Sequence, residues 1–168
     1  DAQSLWYDEG YSAYLGAHLP LGQALDLTVK DIVPPLYYLL LRGWTPLVGT
    51  GEYALRFLSV LFGTLAVALI ARIGRYLLES PNDSEAARHA IWGGWLGGAL
   101  AAISPALIWL SQDARMYGPL VTWTLLATWG LLRALLATAT RARRLGWALF
   151  VGAGLAALYT HTVSAFWL

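Results

Sequence analysis

The chain has 168 residues, 58% of them hydrophobic and only 12% charged, with a formal net charge of +1 at pH 7. This is too little polar side-chain material to coat a soluble domain of this length, so a lipid-facing surface is expected, and the near-neutral charge offers no basic surface for nucleic acid. The sequence has no cysteine, which excludes disulfides and thiolate metal sites and leaves the redox compartment undetermined.

The chain begins in a polar stretch and ends in an apolar one. Residues 1–10 contain three acidic side chains and lack the basic start and apolar run of a signal peptide. Residues 165–168 lie inside an apolar segment. We therefore expect at least one membrane span before residue 1 and further spans after residue 168.

Residues 1–52 are less apolar than the rest and are expected to form short helices at the membrane surface. A helix is predicted over residues 11–19, with Pro20 ending it. Pro34 and Pro35 exclude a helix running through them. A new helix can start there, because Pro35 suits a first helical position and apolar residues recur after it at helical spacing.

Four apolar segments that are long enough to cross a bilayer as helices follow in residues 53–168. Their predicted bounds are 53–78, 90–111, 116–136 and 145–168. The second is uninterrupted by charge and, at ~1.5 Å per residue, spans roughly 31 Å, close to the hydrocarbon thickness. A tight turn around residue 113 follows this second segment. Pro105 and Pro119 are expected to break or kink the helices on either side of that turn.

The charges in the connections predict an orientation. The connections 72–89 and 133–144 carry seven basic residues, whereas the other side carries four basic and seven acidic residues. Because basic connections stay in the cytoplasm, residues 1–52 and the turn at residue 113 should face outward. The predicted fold class is all-α: a polytopic transmembrane helix bundle with a helical extracytoplasmic loop at its N-terminal end.

Four glycines of the second segment form two overlapping pairs, and in each pair three residues separate the two glycines. They are Gly93, Gly94, Gly97 and Gly98. Pairs of this kind allow a neighbouring helix to approach closely. The alternative interpretation is a groove for a lipid tail, formed where side chains are missing.

Carboxylates are the strongest candidates for chemistry. Asp8 and Glu9 lie among aromatic residues, at a membrane depth where charge is costly unless it is paired or used. Neighbouring helical residues point about 100° apart, so these two cannot address one atom and a second carboxylate is needed. Asp113, in a tight turn with Arg115 on the same side, is a candidate. The structural alternatives are a solvated acidic pair and a local charge balance between Asp113 and Arg115.

Several motifs occur in an order that is similar to one family. They are Tyr7-Asp8-Glu9, Asp31-Ile32-Val33-Pro34-Pro35-Leu36-Tyr37-Tyr38, Glu52-Tyr53-Ala54-Leu55-Arg56-Phe57-Leu58-Ser59, Ser104-Pro105, Ser111-Gln112-Asp113-Ala114-Arg115-Met116-Tyr117 and Tyr159-Thr160-His161. In this order they resemble the bacterial dolichyl-phosphate-mannose protein mannosyltransferase family of the C-type glycosyltransferase superfamily. The chain would be the N-terminal part of such a protein.

The resemblance implies a multi-pass glycosyltransferase of the bacterial plasma membrane. It would transfer a mannose-like sugar from a polyprenyl-phosphate donor to a hydroxyl of a protein, lipid or glycan acceptor on the extracytoplasmic face. Asp8 would be the catalytic base and Glu9 an orienting group. Arg115 would hold the donor phosphate, Tyr117 would donate a hydrogen bond to it, and Asp113 would hold Arg115 or the acceptor.

Two residues have weaker assignments. Asp31 would bind a sugar hydroxyl or cap the helix after the prolines, and His161 would either touch the substrate or be hydrogen-bonded at a helix end. The chain departs from the family at Val33, where histidine is common, and at Asp113, where glutamate is common. No cofactor follows from the sequence beyond a possible divalent metal, for which no ligand set is assigned.

Two other classes of protein fit the composition. A transporter or flippase of lipid-linked sugars would also place arginine and carboxylates at a membrane interface, but more of its charges would lie within the spans. A non-catalytic membrane assembly subunit would tolerate replacement of Asp8. For the enzyme, the expected partners are the lipid-linked sugar, the acceptor and membrane lipid, and no nucleic acid.

Overall fold

The structure, a computed structural model, describes residues 5–79 and 84–167. Every regular element within these residues is a helix, which confirms the all-α prediction. In chain order they are α1 (Tyr7–Ala13), a π-helical turn (Tyr14–His18), α2 (Leu21–Lys30), α3 (Leu36–Val48), α4 (Glu52–Leu78), α5 (Ser84–Ala102), α6 (Pro105–Gln112), α7 (Tyr117–Leu136), α8 (Thr140–Thr160) and a 3-10 turn (Thr162–Phe166).

Two of these helices, α4 and α7, are long and apolar enough to cross a membrane. Helices α5 and α6 pass the same test only when they are taken together as one bent span. The predicted segments 53–78 and 116–136 match α4 and α7 closely. Pro119 does not kink α7, because it lies in the first turn, where its missing N–H would have no intrahelical partner. The described residues thus contain two or three candidate spans.

The predicted segment 90–111 is not one straight span. Helix α5 already begins at Ser84, and the chain bends by 57° between α5 and α6. Pro105 is the first residue of α6, and the preceding Ser104 is extended, with φ −67° and ψ 119°. Proline disfavours the helical conformation in the residue before it, which explains the break. The interruption expected at Pro105 is confirmed, and the uninterrupted span is corrected to a bent pair.

The last predicted segment, 145–168, is shifted toward the N-terminus. Helix α8 begins at Thr140 and ends at Thr160, so three arginines lie in its first turns. These charges keep α8 out of the group of helices that are apolar enough to cross a membrane. The apolar pattern leaves them outside the predicted segment, because charge is not expected in hydrocarbon. Arginine is nevertheless a good helix former, so the helix extends beyond the apolar stretch.

The N-terminal residues form more helix than predicted. Helix α1 starts at Tyr7 instead of residue 11, and the carboxylates of Asp8 and Glu9 lie in its first turn, where the helix dipole favours them. Helix α2 is not predicted, because its buried stripe consists only of Ala24 and Thr28 and gives too short a periodic signal.

Helix α3 confirms the helix predicted after the paired prolines, and it continues through a third proline. Pro46 lies inside α3 and cannot donate a hydrogen bond to the carbonyl of Arg42. The hydroxyl of Thr45 donates to that carbonyl instead, at 3.4 Å. The acceptor is therefore satisfied, and the helix extends to Val48.

The N-terminal helices share one hydrophobic core with the first half of α4 and with the turn between α6 and α7. Its buried members are Ala13, Leu15, Ala24, Tyr37, Tyr38, Leu41, Leu55, Leu58, Ala114 and Met116. This core holds the start of the chain against the α6–α7 turn, and it thereby sets the position of the candidate site.

Glycines permit the closest contacts between helices. A Cβ on Gly94 or Gly98 of α5 would lie 2.7 or 3.0 Å from atoms of Ala71 in α4, which confirms the packing interpretation for these two glycines. A second contact of this kind, not predicted from the sequence, joins α7 to α8. A Cβ on Gly130 would lie 2.5 Å from the backbone nitrogen of Phe150.

Gly146→Ala should destabilise the packing of α8 against α7. The added Cβ would lie 2.5 Å from the backbone nitrogen of Ala134, so one helix has to move. Overpacking of this kind costs typically about 1–3 kcal/mol. The matched control is Gly152→Ala in the same helix, where no atom lies within 4 Å. Thermal unfolding in detergent should show a lower midpoint for Gly146→Ala alone, and equal midpoints would contradict this helix contact.

Candidate functional site

The carboxylate of Glu9 is almost completely buried and links three segments of the chain. Its side chain is 2% exposed. Arg56 of α4 donates to it twice, from Nε to Oε1 at 2.9 Å and from Nη2 to Oε2 at 2.6 Å. The backbone N–H groups of Ala114 and Trp6 also donate to it, at 2.8 and 3.1 Å. Glu9 and these three donor residues are termed the Glu9 clamp.

The Glu9 clamp keeps its carboxylate ionised. Burial favours the neutral acid, but hydrogen bonds from Arg56, Ala114 and Trp6, together with the charge of Arg56, outweigh burial and hold the pKa of Glu9 below its ordinary value. A carboxylate that already accepts four hydrogen bonds has little capacity to accept a proton from a substrate. Glu9 is therefore suited to fix the local structure.

Asp8, the preceding residue, faces open space. Its side chain is 65% exposed, and its Oδ2 lies 3.1 Å from Nη1 of Arg115, whose own side chain is 17% exposed. The different surroundings of Asp8 and Glu9 follow from the ~100° between neighbouring helical residues. The guanidinium of Arg115 also lies 5.6 Å from the ring centroid of Tyr117. The structure thus brings Asp8, Arg115 and Tyr117 together.

Asp113 lies in the same region, but the ion pair of Arg115 is with Asp8. The contact between Asp113 and Arg115 is made by the backbone, where the Arg115 N–H donates to the Asp113 carbonyl at 2.8 Å. Burial and the charge of Glu9 raise the pKa of the Asp113 carboxyl above its ordinary value. The direct ion pair of the Arg115 side chain is therefore with α1 and not within its own turn.

These residues line an open cleft of about 910 Å³ at the meeting point of α1, the start of α4 and the α6–α7 turn. Its walls comprise Trp6, Asp8, Glu9, Glu52, Tyr53, Arg56, Val60, Trp109, Gln112, Asp113, Arg115 and Tyr117. The side chains of Trp6, Tyr53 and Trp109 are each more than half exposed. The cleft therefore combines charged groups of both signs with exposed aromatic rings.

A second groove, of about 370 Å³, lies beside the cleft along α4 and the bend between α5 and α6. Most of its lining is apolar, and it comprises Val60, Gly63, Thr64, Val67, Ala101, Ala102, Leu107, Ile108, Ser111 and Gln112. Val60 and Gln112 line both spaces. A cleft with charged walls and an apolar groove are thus neighbours.

Asp31 does not line the cleft. Its carboxylate accepts a hydrogen bond from the hydroxyl of Tyr11, and burial together with this acceptor raises the pKa of Tyr11 to about 12. Asp31 follows the last residue of α2, whereas α3 begins after Pro35 without a side-chain cap. The hypothesis that Asp31 caps α3 is therefore wrong, because four residues separate it from the first residue of that helix.

His161 lies at the end of α8, behind Tyr117. The centroids of the two rings are 6.1 Å apart. The Nδ1 atom of His161 accepts a hydrogen bond from the backbone N–H of Val163 at 3.1 Å. This confirms the interpretation of His161 as a hydrogen-bonded residue at a helix end, and its connection to the cleft runs through Tyr117.

Sequence analysis assigns no role in the site to Arg56. Arg56 appears there only as a member of a motif, because its partner Glu9 is 47 positions away. The useful signal is the combination of an arginine inside the first turns of an apolar helix with an acidic residue at similar depth. Charged side chains at that depth need a partner of opposite charge, so the arginine and the acidic residue each indicate that the other is nearby.

Among the described residues of the cleft, Glu9 is not available as a ligand for a divalent metal. Across residues 5–79 and 84–167, no group of three or more histidine, aspartate or glutamate side chains is placed to hold one. Both oxygens of Glu9 already accept hydrogen bonds from the protein.

Comparisons with family models, with curated proteins and with solved structures gave no match. The assignment of a function therefore depends on the geometry of the cleft and on the sequence motifs.

Arg56→Ala should destabilise the protein strongly, because it leaves Glu9 buried without a counter-ion. Removing one partner of a buried ion pair costs roughly 3–5 kcal/mol. The matched control is Arg75→Ala, which removes an arginine from an exposed pair with Glu79, 3.8 Å apart, of a kind worth at most about 1 kcal/mol. Unfolding in detergent should separate the two variants. A similar loss in both would contradict the role of the Glu9 clamp.

Proposed function

We propose that this chain is the N-terminal part of a membrane glycosyltransferase. It transfers a mannose-like sugar from a polyprenyl-phosphate donor to an acceptor hydroxyl on the extracytoplasmic face of the bacterial plasma membrane. The motifs that resemble the bacterial dolichyl-phosphate-mannose protein mannosyltransferases support this proposal. The observation that carries it is the pairing of Asp8 with Arg115 in a cleft that adjoins an apolar groove.

Arg115 is suited to hold the phosphate of the donor. A guanidinium group binds phosphate oxygens through parallel hydrogen bonds, and this is stronger than a single contact with a solvated carboxylate. The present partner of Arg115 is Asp8, whose side chain is 65% exposed. An incoming phosphate can therefore displace Asp8, which leaves this carboxylate free within the cleft.

Asp8 then acts as the general base. As the acceptor oxygen attacks the anomeric carbon, the hydroxyl proton passes to Asp8 and the bond between the anomeric carbon and the phosphate oxygen breaks. The electron pair of that bond stays with the phosphate, which Arg115 stabilises as polyprenyl phosphate leaves. Tyr117 donates a hydrogen bond to the same phosphate, and Asp113 binds the acceptor.

The two neighbouring spaces match the two parts of the donor. A polyprenyl chain is apolar and suits the groove of about 370 Å³ beside α4. The sugar suits the cleft, where the exposed rings of Trp6, Tyr53 and Trp109 can cover its apolar faces. The phosphate then lies at the junction, close to Arg115.

The distribution of charge supports an extracytoplasmic position for the cleft. The cleft lies at the end of α4 that carries Glu52 and Arg56, whereas Arg72 and Arg75 lie toward the other end. Arginine-rich ends of membrane helices stay in the cytoplasm. The chain is then a polytopic bundle, and its N-terminal helices form an extracytoplasmic cap.

An assay with radiolabelled polyprenyl-phosphate mannose separates this function from its two rivals. A transferase moves the label out of the lipid extract, whereas a flippase moves intact labelled lipid across the bilayer. A non-catalytic assembly subunit supports transfer by its complex even when Asp8 is replaced. Label that stays in the lipid extract with every acceptor fraction tested would contradict the proposal.

Asp8→Asn should lower the rate of transfer by roughly 10²- to 10⁴-fold, the usual contribution of a general base. The amide keeps the size of the side chain, so the midpoint of unfolding should stay within the range of the unmodified protein. Asp26→Asn is the matched control, because Asp26 is exposed on α2 and does not line the cleft. Retention of more than about a tenth of the rate in Asp8→Asn would exclude general base catalysis by this residue.

Arg115→Ala should weaken the use of the lipid donor, because the phosphate loses its charged partner. Loss of a hydrogen-bonded charge at such a site costs typically about 2–4 kcal/mol of transition-state stabilisation, or roughly 30- to 1,000-fold in kcat/KM. Arg115→Lys should fall between these limits, since it keeps the charge without the planar fork. Lys30→Ala, which removes an exposed cation at the end of α2, is the control. Unchanged kcat/KM in Arg115→Ala would contradict the proposal that Arg115 holds the phosphate of the donor.

A further inference from the structure

A second cluster of charge and aromatic rings lies toward the other end of α4 and α7. Arg72 of α4 and Arg133 of α7 both lie against the indole of Trp129, with guanidinium carbons 5.2 and 6.0 Å from the ring centroid. The two guanidinium carbons are therefore at most about 11 Å apart. Arg72, Trp129 and Arg133 are termed the arginine–tryptophan cluster.

The centre of this cluster is fixed by packing. Trp129 is only 9% exposed, and the ring of Tyr76 packs edge-on against it with centroids 4.8 Å apart. Arg72 is exposed and Arg133 is half-buried, so both guanidinium groups remain reachable from outside. The arrangement places two cations against one buried ring.

The acidic residues described near this end of the bundle are engaged elsewhere. Glu79 lies 3.8 Å from Arg75, and Glu85 lies 3.8 Å from Arg88. Neither ion pair includes a member of the arginine–tryptophan cluster. Two cations within about 11 Å of each other attract an anion from outside the chain.

Helix α8 adds more positive charge at the same level. Its first turns contain Arg141, Arg143 and Arg144. The contact of Gly146 with Ala134, the residue after Arg133, keeps these turns against the end of α7. The result is additional positive charge at the same end of α7 and α8.

The depth of the cluster corresponds to the headgroup region of a bilayer. Arg72 follows Arg56 by 16 positions in α4, which at ~1.5 Å per residue places it roughly 24 Å farther along the helix. Because Arg56 lies at the cleft, this distance nearly spans a hydrocarbon layer of about 30 Å. Tryptophan and arginine side chains both favour that interface.

We propose that the arginine–tryptophan cluster binds the phosphate of an anionic glycerophospholipid in the cytoplasmic leaflet. The guanidinium groups of Arg72 and Arg133 contact the phosphate oxygens, and the acyl chains lie along the exposed apolar surface near Leu77 and Leu136. This proposal requires the chain to lie in a membrane but is independent of the transferase chemistry at the cleft.

The test measures binding of fluorescent phosphatidylglycerol to the full chain in neutral detergent, with fluorescent phosphatidylcholine as the comparison. The double variant Arg72→Gln, Arg133→Gln should bind phosphatidylglycerol on the order of 30-fold more weakly. The matched control is Arg75→Gln, Arg88→Gln, which removes the same charge from the same end and should change binding by less than about 3-fold. Equal losses in the two double variants would show unspecific attraction and would overturn the proposal.

Two further measurements keep the result interpretable. The double variant Arg72→Lys, Arg133→Lys keeps the charge without the stacking fork, so it should bind less tightly than the unmodified chain even if the glutamine variant fails to fold. Full affinity in the lysine variant would contradict the proposal. Excess inorganic phosphate should leave the bound lipid in place, and displacement would identify a site for a free anion instead of a lipid.

Discussion

The carboxylate of Glu9 is the constraint on which the site depends. A buried charge is tolerated only when donors surround it, and here the donors come from the approach to α1, from α4 and from the α6–α7 turn. If any of these segments moved away, the Glu9 carboxylate would lose hydrogen-bond donors or become exposed to solvent. The hydrophobic core formed by the N-terminal helices and α4 supplies much of the packing, but the Glu9 clamp determines how α1 is oriented upon it.

This constraint separates two adjacent carboxylates into different chemical environments. Glu9 is nearly inaccessible and saturated with hydrogen bonds, whereas Asp8 is largely exposed and meets one arginine. Pairs of titratable groups held in contrasting environments are typical of sites where one group orients and the other reacts. At the far end of α4 the same chain places arginines around Trp129, so the two ends differ in the sign of their dominant charge.

The sequence predicts those features that depend on neighbours along the chain. Apolar stretches identify α4 and α7, Pro105 identifies the bend before α6, and the angle between successive helical residues predicts that Asp8 and Glu9 diverge. Features that need a distant partner are not predicted. The pair of Arg56 with Glu9 and the contact of Gly130 with α8 arise only when the helices pack, and α2 carries too short a buried stripe to stand out.

Cysteine cross-linking between positions 8 and 115 tests most directly whether the Glu9 clamp positions the site. The chain has no native cysteine, so Asp8→Cys with Arg115→Cys gives one reactive pair and also removes the ion pair between these residues. A short bifunctional thiol reagent should link the two positions efficiently while Glu9 is present and poorly when Glu9→Ala is added. Equal cross-linking with and without Glu9 would contradict the account.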